Sequence, residues 1–117
     1  MSFNVTILGS NSALPAHGRH PSAQLLTIDH HQILVDCGEG TIFRLSDLKL
    51  SKMKIEAIFI SHLHGDHVYG LPGLVTSLIL MGRKESLTIV GPKGIKKMME
   101  QIFEASWTRL NYPLEFL

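Results

Sequence analysis

Apolar and polar positions alternate in twos at the start of the chain and at helical intervals later, so strands are expected first and helices after them. Phe3 to Leu8 alternates and is rich in β-branched residues, which predicts a strand. Gly9 to Pro21 carries glycine, proline and serine without periodicity and is expected to be a long loop. Gln24 to Ile28 and Gln32 to Asp36 form a hairpin pattern turning at Asp29-His30-His31. Gly40 to Leu48 predicts a short helix with Ile42, Leu45 and Leu48 on one face, followed by a polar connector from Lys49 to Lys54. Ile55 to Ile60 is a continuous apolar, β-branched strand pattern broken only by Glu56. Leu71, Leu74, Val75 and Leu78 recur at helical spacing, with Pro72 in the first turn where its missing N–H costs nothing. Leu87 to Val90 predicts another strand. Ile95, Met98, Met99, Ile102 and Phe103 then make an i, i+3, i+4, i+7, i+8 stripe, a core-packing face. Tyr112 to Leu117 reads as the start of a further strand. Strands followed by strand–helix alternation predict an α/β fold.

Composition changes little in this picture. The 117 residues suit one modest domain. A net charge of +1 is no nucleic-acid signature by itself. Cys37 is the only cysteine, which excludes an intrachain disulfide framework and fits a reducing compartment. No basic and apolar leader follows Met1, and no apolar run reaches about 18 residues. The expectation is a cytoplasmic protein with no membrane partner.

The chemistry concentrates in Ser61-His62-Leu63-His64-Gly65-Asp66-His67, directly after the Ile55–Ile60 strand. Neutral imidazoles and carboxylates are the donors that zinc and related divalent ions take. Side chains two apart in an extended segment point the same way, so His62 and His64 are expected to share one ion. Asp66 and His67 would hold a neighbouring ion after a turn for which Gly65 supplies backbone freedom. Two ions about 3.5–4 Å apart can clamp the attacking and leaving oxygens of a phosphoester.

His62-Leu63-His64-Gly65-Asp66-His67 resembles the signature of the metallo-β-lactamase superfamily, and the extension Val68-Tyr69-Gly70-Leu71-Pro72-Gly73-Leu74 resembles the ribonuclease Z family of tRNA 3′-processing endonucleases. Ile7-Leu8-Gly9-Ser10, Val35-Asp36-Cys37-Gly38-Glu39-Gly40-Thr41 and Val90-Gly91-Pro92-Lys93-Gly94-Ile95 are similar to further segments of that family. The resemblance implies the αββα metallo-β-lactamase sandwich. Residues 1–117 would be the N-terminal half of its catalytic domain, truncated from a longer parent. It implies a zinc-dependent endoribonuclease with two zinc ions, removing the 3′ trailer of precursor tRNA by attack of metal-activated hydroxide on a phosphodiester. His62, His64, Asp66 and His67 would be metal ligands, Asp66 also the general base, and the remaining ligands would lie beyond Leu117. Asp36 would support the ligands by hydrogen bonds rather than ligate, the alternative being a turn aspartate that caps the next helix. Arg19, in Pro15-Ala16-His17-Gly18-Arg19-His20, would contact the RNA phosphate. His17 and His20 depart from the lysine and asparagine common there, and Ile42 from a common glutamine. Family members imply a homodimer. With two ligands per ion, the chain alone is expected to be inactive. Other readings are a different hydrolase of the superfamily (phosphodiesterase, arylsulfatase-like or thioesterase) and a non-catalytic half-domain module. His30 and His31 are expected at a surface turn, Cys37 buried rather than reactive, and Lys93, Lys96 and Lys97 on a solvated helix face.

Overall fold

The computed structural model describes residues 2–10 and 21–117. Six strands form one sheet in sequence order: β1 (Phe3–Gly9), β2 (Ala23–Ile28), β3 (His31–Val35), β4 (Ile55–Phe59), β5 (Leu87–Val90) and β6 (Leu114–Phe116). β1, β2 and β3 pair antiparallel, and β3 through β6 pair parallel. The β2–β3 connection is the expected hairpin, with Ile28 opposite His31 and Asp29 in the left-handed region. The parallel strands are joined through α1 (Thr41–Asp47), α2 (Gly65–Val68) with α3 (Leu71–Leu80), and α4 (Ile95–Ala105). This is the expected α/β class.

Strand alternation decides where the core sits. Leu25, Leu34, Ile58 and Ile89 are cross-strand neighbours on one face, and all four are fully buried. The helices supply the facing layer: Leu45 from α1, Leu71, Leu74, Val75 and Leu78 from α3, and Ile95, Met99 and Phe103 from α4. The predicted stripes of α3 and α4 are therefore the packed faces. Leu48 is a correction. It falls just past α1 and is 41% exposed, because the helix ends one residue earlier and its C-cap turns the side chain outward. Arg83 is buried in the turn before β5, where its guanidinium donates to the carbonyls of Glu85, Met53 and Ser86 and lies over the Tyr112 ring.

The other sheet face is apolar and open. Phe3, Val5 and Ile7 alternate onto it and are 48–59% exposed, with Phe59 also exposed on β4. A sheet that carries core-type residues on both faces is built for a covering layer on each.

Candidate metal centre

Because β3, β4 and β5 run parallel, the residues that follow them emerge along one edge of the sheet. Asp36 leaves β3, Ser61 and His62 leave β4 after Ile60, and Gly91 leaves β5. Asp36 N donates to Phe59 O and Ile60 N to Val90 O, which ties the three exits together. A groove of about 470 Å³ opens there, lined by Val35, Phe59, Ile60, Ser61, Val90, Gly91 and Pro92. Crevices at the carboxyl ends of parallel strands are where α/β folds place their chemistry.

Asp36 is buried, at φ 61, a conformation that aspartate tolerates better than most residues. Its carboxylate is the hub of the site. Oδ1 accepts from the Ser61 backbone N–H at 2.7 Å and from Ser61 Oγ at 2.9 Å. Oδ2 lies 2.7 Å from His67 Nδ1. A carboxylate only accepts, so His67 Nδ1 carries the proton and Nε2 keeps its lone pair. The same logic reaches His62. Ser61 Oγ has one proton and gives it to Asp36, so the 3.1 Å contact with His62 Nδ1 has the imidazole as donor. One buried carboxylate thus sets Nε2 of two histidines as the free nitrogen, directly at His67 and through Ser61 at His62. Asp36 does not cap α1: that helix has Gly40 at its N-cap and no side-chain cap.

Donor atoms of His62, Asp66 and His67 all lie within 4.8 Å of one another. His67 Nε2 and Asp66 Oδ2 are 3.2 Å apart. With Nδ1 donating to Asp36, Nε2 and a carboxylate oxygen stand side by side as two electron-pair donors, which a shared cation would bridge. The donor set fits a divalent ion on chemistry and spacing. His64 stands apart from that trio, although its ring meets the His62 ring edge-on at 5.0 Å, while the His62 and His67 rings are 3.8 Å apart. Asp66 and His67 are thus in direct contact and the His62 and His64 rings are neighbours, with His62 also close to His67.

Two glycine contacts explain how the motif is held. The helix α2, unexpected inside the motif, places Asp66 and His67 on one turn. Cys37 N donates to His67 O and Gly70 N to Cys37 O, so the loop after β3 and the end of α2 are sewn together. A Cβ at Gly70 would fall 2.2 Å from Gly38 O, and one at Gly38 would fall 2.6 Å from Asp66 O. Gly65 is not among the positive-φ residues; it is needed because the Tyr69 ring packs where a Cβ would be. That corrects the expected reason for this glycine.

Cys37 is fully buried, and burial pushes its thiol up to about 12, so it is inert near neutral pH, as expected. His31 is exposed and meets Glu56 at 2.9 Å, a surface pair. Arg19, with its loop, lies outside the described residues. Ser61 is the residue that sequence reasoning left without a role. Its signal is a hydroxyl at the strand exit directly before the first histidine.

The expected resemblance to ribonuclease Z is borne out by comparison with known proteins. The chain is 44% identical to Ribonuclease Z of Staphylococcus carnosus (strain TM300), over 98% of this chain and 39% of that protein. It is also 44% identical to Ribonuclease Z of Salinibacter ruber (strain DSM 13855 / M31), over 97% of this chain and 35% of that protein. Among solved structures, it is similar to human tRNase Z, short form, with a TM-score of 0.89 and 39% identity over 96% of this chain and 44% of that one. The fold is also shared with the metallo-beta-lactamase fold protein YhfI from Bacillus subtilis, at a TM-score of 0.78 and 21% identity over 98% of this chain and 44% of that one. The chain thus spans less than half the length of these relatives. Its sheet and helices are the first part of a metallo-β-lactamase fold. Residues 3–112 match the family model described as Anti-Pycsar protein Apyc1, and the chain belongs to that family.

Proposed function

We propose that this chain is the metal-binding half of a zinc-dependent endoribonuclease that removes 3′ trailers from precursor tRNA. The observation that carries the reading is the cluster of His62, Asp66 and His67 oriented by Asp36, in a chain about 40% identical to proteins named ribonuclease Z. His62, His64, Asp66 and His67 would hold two zinc ions, with further ligands from sequence beyond Leu117. Bound zinc would supply Lewis acidity at the phosphate and lower the pKa of a water molecule. Asp36 would hold the imidazoles in one tautomer through Ser61 and His67 Nδ1. Asp66 would take the proton of the attacking water, in addition to its ligand role. Arg19 would bind phosphate in a bidentate fork. Cleavage would break the bond between phosphorus and the 3′ oxygen and leave a 3′-hydroxyl on the tRNA.

The open sheet face supports the domain reading. Phe3, Val5, Ile7 and Phe59 are apolar and exposed, and a second sheet from the rest of the parent would cover them as the sandwich requires. The parent would act in the cytoplasm as a homodimer. Among the described residues no helix is long and apolar enough to cross a membrane.

Catalytic zinc takes three protein ligands and an open position, and this chain brings four for two ions. The isolated chain would therefore bind zinc weakly and cut nothing. Calorimetric titration that found two tightly held zinc ions per isolated chain would sink this part of the proposal. The function itself is tested by full-length protein against precursor tRNA and against a simple chromogenic phosphodiester. Trailer removal supports the nuclease. Turnover of the small diester alone would assign another hydrolase of the superfamily.

A further inference from the structure

Tyr69 lies two residues beyond His67, yet it takes no part in the hydrogen-bonded hub. It is 70% exposed, unusual for an aromatic ring beside a buried loop. One face of the ring is nonetheless packed. A Cβ built on Gly65 would lie 2.2 Å from Tyr69 Cε2 and 2.6 Å from both bonded neighbours, Cδ2 and Cζ. Both neighbours are nearly as close as Cε2 itself, which is the pattern of an approach onto the ring face; an edge-on approach would leave them much farther. So the ring lies flat over the backbone at Gly65, and the side chain as a whole remains largely open to solvent. Its main chain is held on both sides, because Tyr69 N donates to Gly65 O and Gly70 N to Cys37 O.

A flat aromatic face beside a phosphodiester-cleaving centre has one evident use for an RNA substrate. Single-stranded nucleobases stack on exposed aromatic rings, whatever their sequence. We propose that Tyr69 is the platform on which a nucleobase flanking the scissile phosphate stacks, so that the ring positions the RNA without touching the reacting atoms. This rests on the ribonuclease reading above. Glycine at position 65 is then part of the platform, since any side chain there would lift the ring. The interaction acts on binding, so its loss falls on KM more than on kcat.

The test uses full-length holoenzyme and RNA carrying 2-aminopurine at either nucleotide flanking the cleaved bond, with a methylene phosphonate in place of the scissile ester. Stacking quenches 2-aminopurine fluorescence. Quenching is expected with the native protein and with Tyr69→Phe, and its loss with Tyr69→Ala. In cleavage assays Tyr69→Ala should raise KM about five- to 100-fold, the range for removing one stacking aromatic. On RNA that is abasic at the quenched position, native and Tyr69→Ala enzymes should have the same KM. An equal KM rise on both RNAs would mean that the ring only shapes the loop, and would overturn the proposal. So would native protein that binds RNA without quenching. Protein that quenches but does not cut would refute the ribonuclease reading alone. Protein that cuts without quenching would refute the platform alone.

Discussion

Gly70 and Gly73 stand three residues apart in Gly70-Leu71-Pro72-Gly73-Leu74, and the structure predicts opposite responses to the same substitution. A Cβ at Gly70 would meet Gly38 O at 2.2 Å and Cys37 O at 3.0 Å. Both obstacles are backbone, so no rotamer change relieves them. Gly70 has φ −82, so the cost of alanine there is steric alone. The loop after β3 and the end of α2 must separate by roughly an ångström, which breaks the Gly70 N to Cys37 O bond of 2.8 Å and strains Cys37 N to His67 O at 2.7 Å. Forced overpacking costs about 1–3 kcal/mol, and one or two backbone hydrogen bonds add about 0.5–1.5 kcal/mol each. Gly70→Ala should therefore destabilise the chain by about 2–4 kcal/mol. It should also loosen the 2.7 Å contact of Asp36 with His67, because both residues sit on the two segments pushed apart. Gly73 lies in the first turn of α3 with nothing within 4 Å of its would-be Cβ, so Gly73→Ala should be neutral or stabilising by up to about 1 kcal/mol through helix propensity. Gly65→Ala falls between them: the atoms nearest its Cβ belong to the exposed Tyr69 side chain and not to backbone, so the ring alone has to lift. Urea denaturation of the three variants, followed by circular dichroism, ranks them directly. A Gly70→Ala midpoint equal to that of Gly73→Ala would refute the claim that these two loops are in backbone contact.

Replacing Asp36 by Asn keeps the shape and tolerates φ 61, but removes the charge behind His67 Nδ1; zinc affinity should fall about 10–100-fold by competition with a chromogenic chelator, and unchanged affinity would deny Asp36 its orienting role. Burial raises Cys37 from 9.0 to about 12 and Tyr112 from 10.0 to about 12, and both groups are neutral when protonated. The native state therefore keeps protons that the unfolded chain loses first. Stability contributed below pH 9 should drain away as pH rises toward 12, at about 1.4 kcal/mol per pH unit for each group in its window. Cys37→Ala should flatten that decline between pH 9 and 10 in urea titrations, and an identical slope would contradict the burial of the thiol. Arg83→Lys should cost about 2 kcal/mol, because an ammonium cannot reproduce the fork that reaches the carbonyls of Glu85, Met53 and Ser86; a melting temperature unchanged from the native chain would refute this.

What the sequence made legible follows from period. The faces of α3 and α4 repeat over ten and eleven residues, long enough for Leu71, Leu74, Val75 and Leu78, or Ile95, Met99 and Phe103, to stand out. α2 spans four residues, too few to display a helical period, so the sequence shows a turn there and not a helix. The helix places Asp66 and His67 on one turn, where their donor atoms come within 4.8 Å of a donor atom of His62. Arg83 sits in Gly82-Arg83-Lys84-Glu85-Ser86, which looks like any solvated turn; only the carbonyls gathered from Met53 and the turn itself make a buried guanidinium tolerable. The role of Ser61 was hidden for a different reason. A serine before a histidine means nothing until Asp36 arrives from 25 positions away and leaves that hydroxyl one proton to give and one lone pair to offer. The β1 alternation predicts a strand, and Phe3–Gly9 is one, but periodicity does not say which face meets the helices. Phe3, Val5 and Ile7 point away from them, so the strongest apolar signal in the first ten residues is directed at the open face. Residues shaped for burial but left in solvent record a packing partner, and here they place it on the side of the sheet opposite α1, α3 and α4.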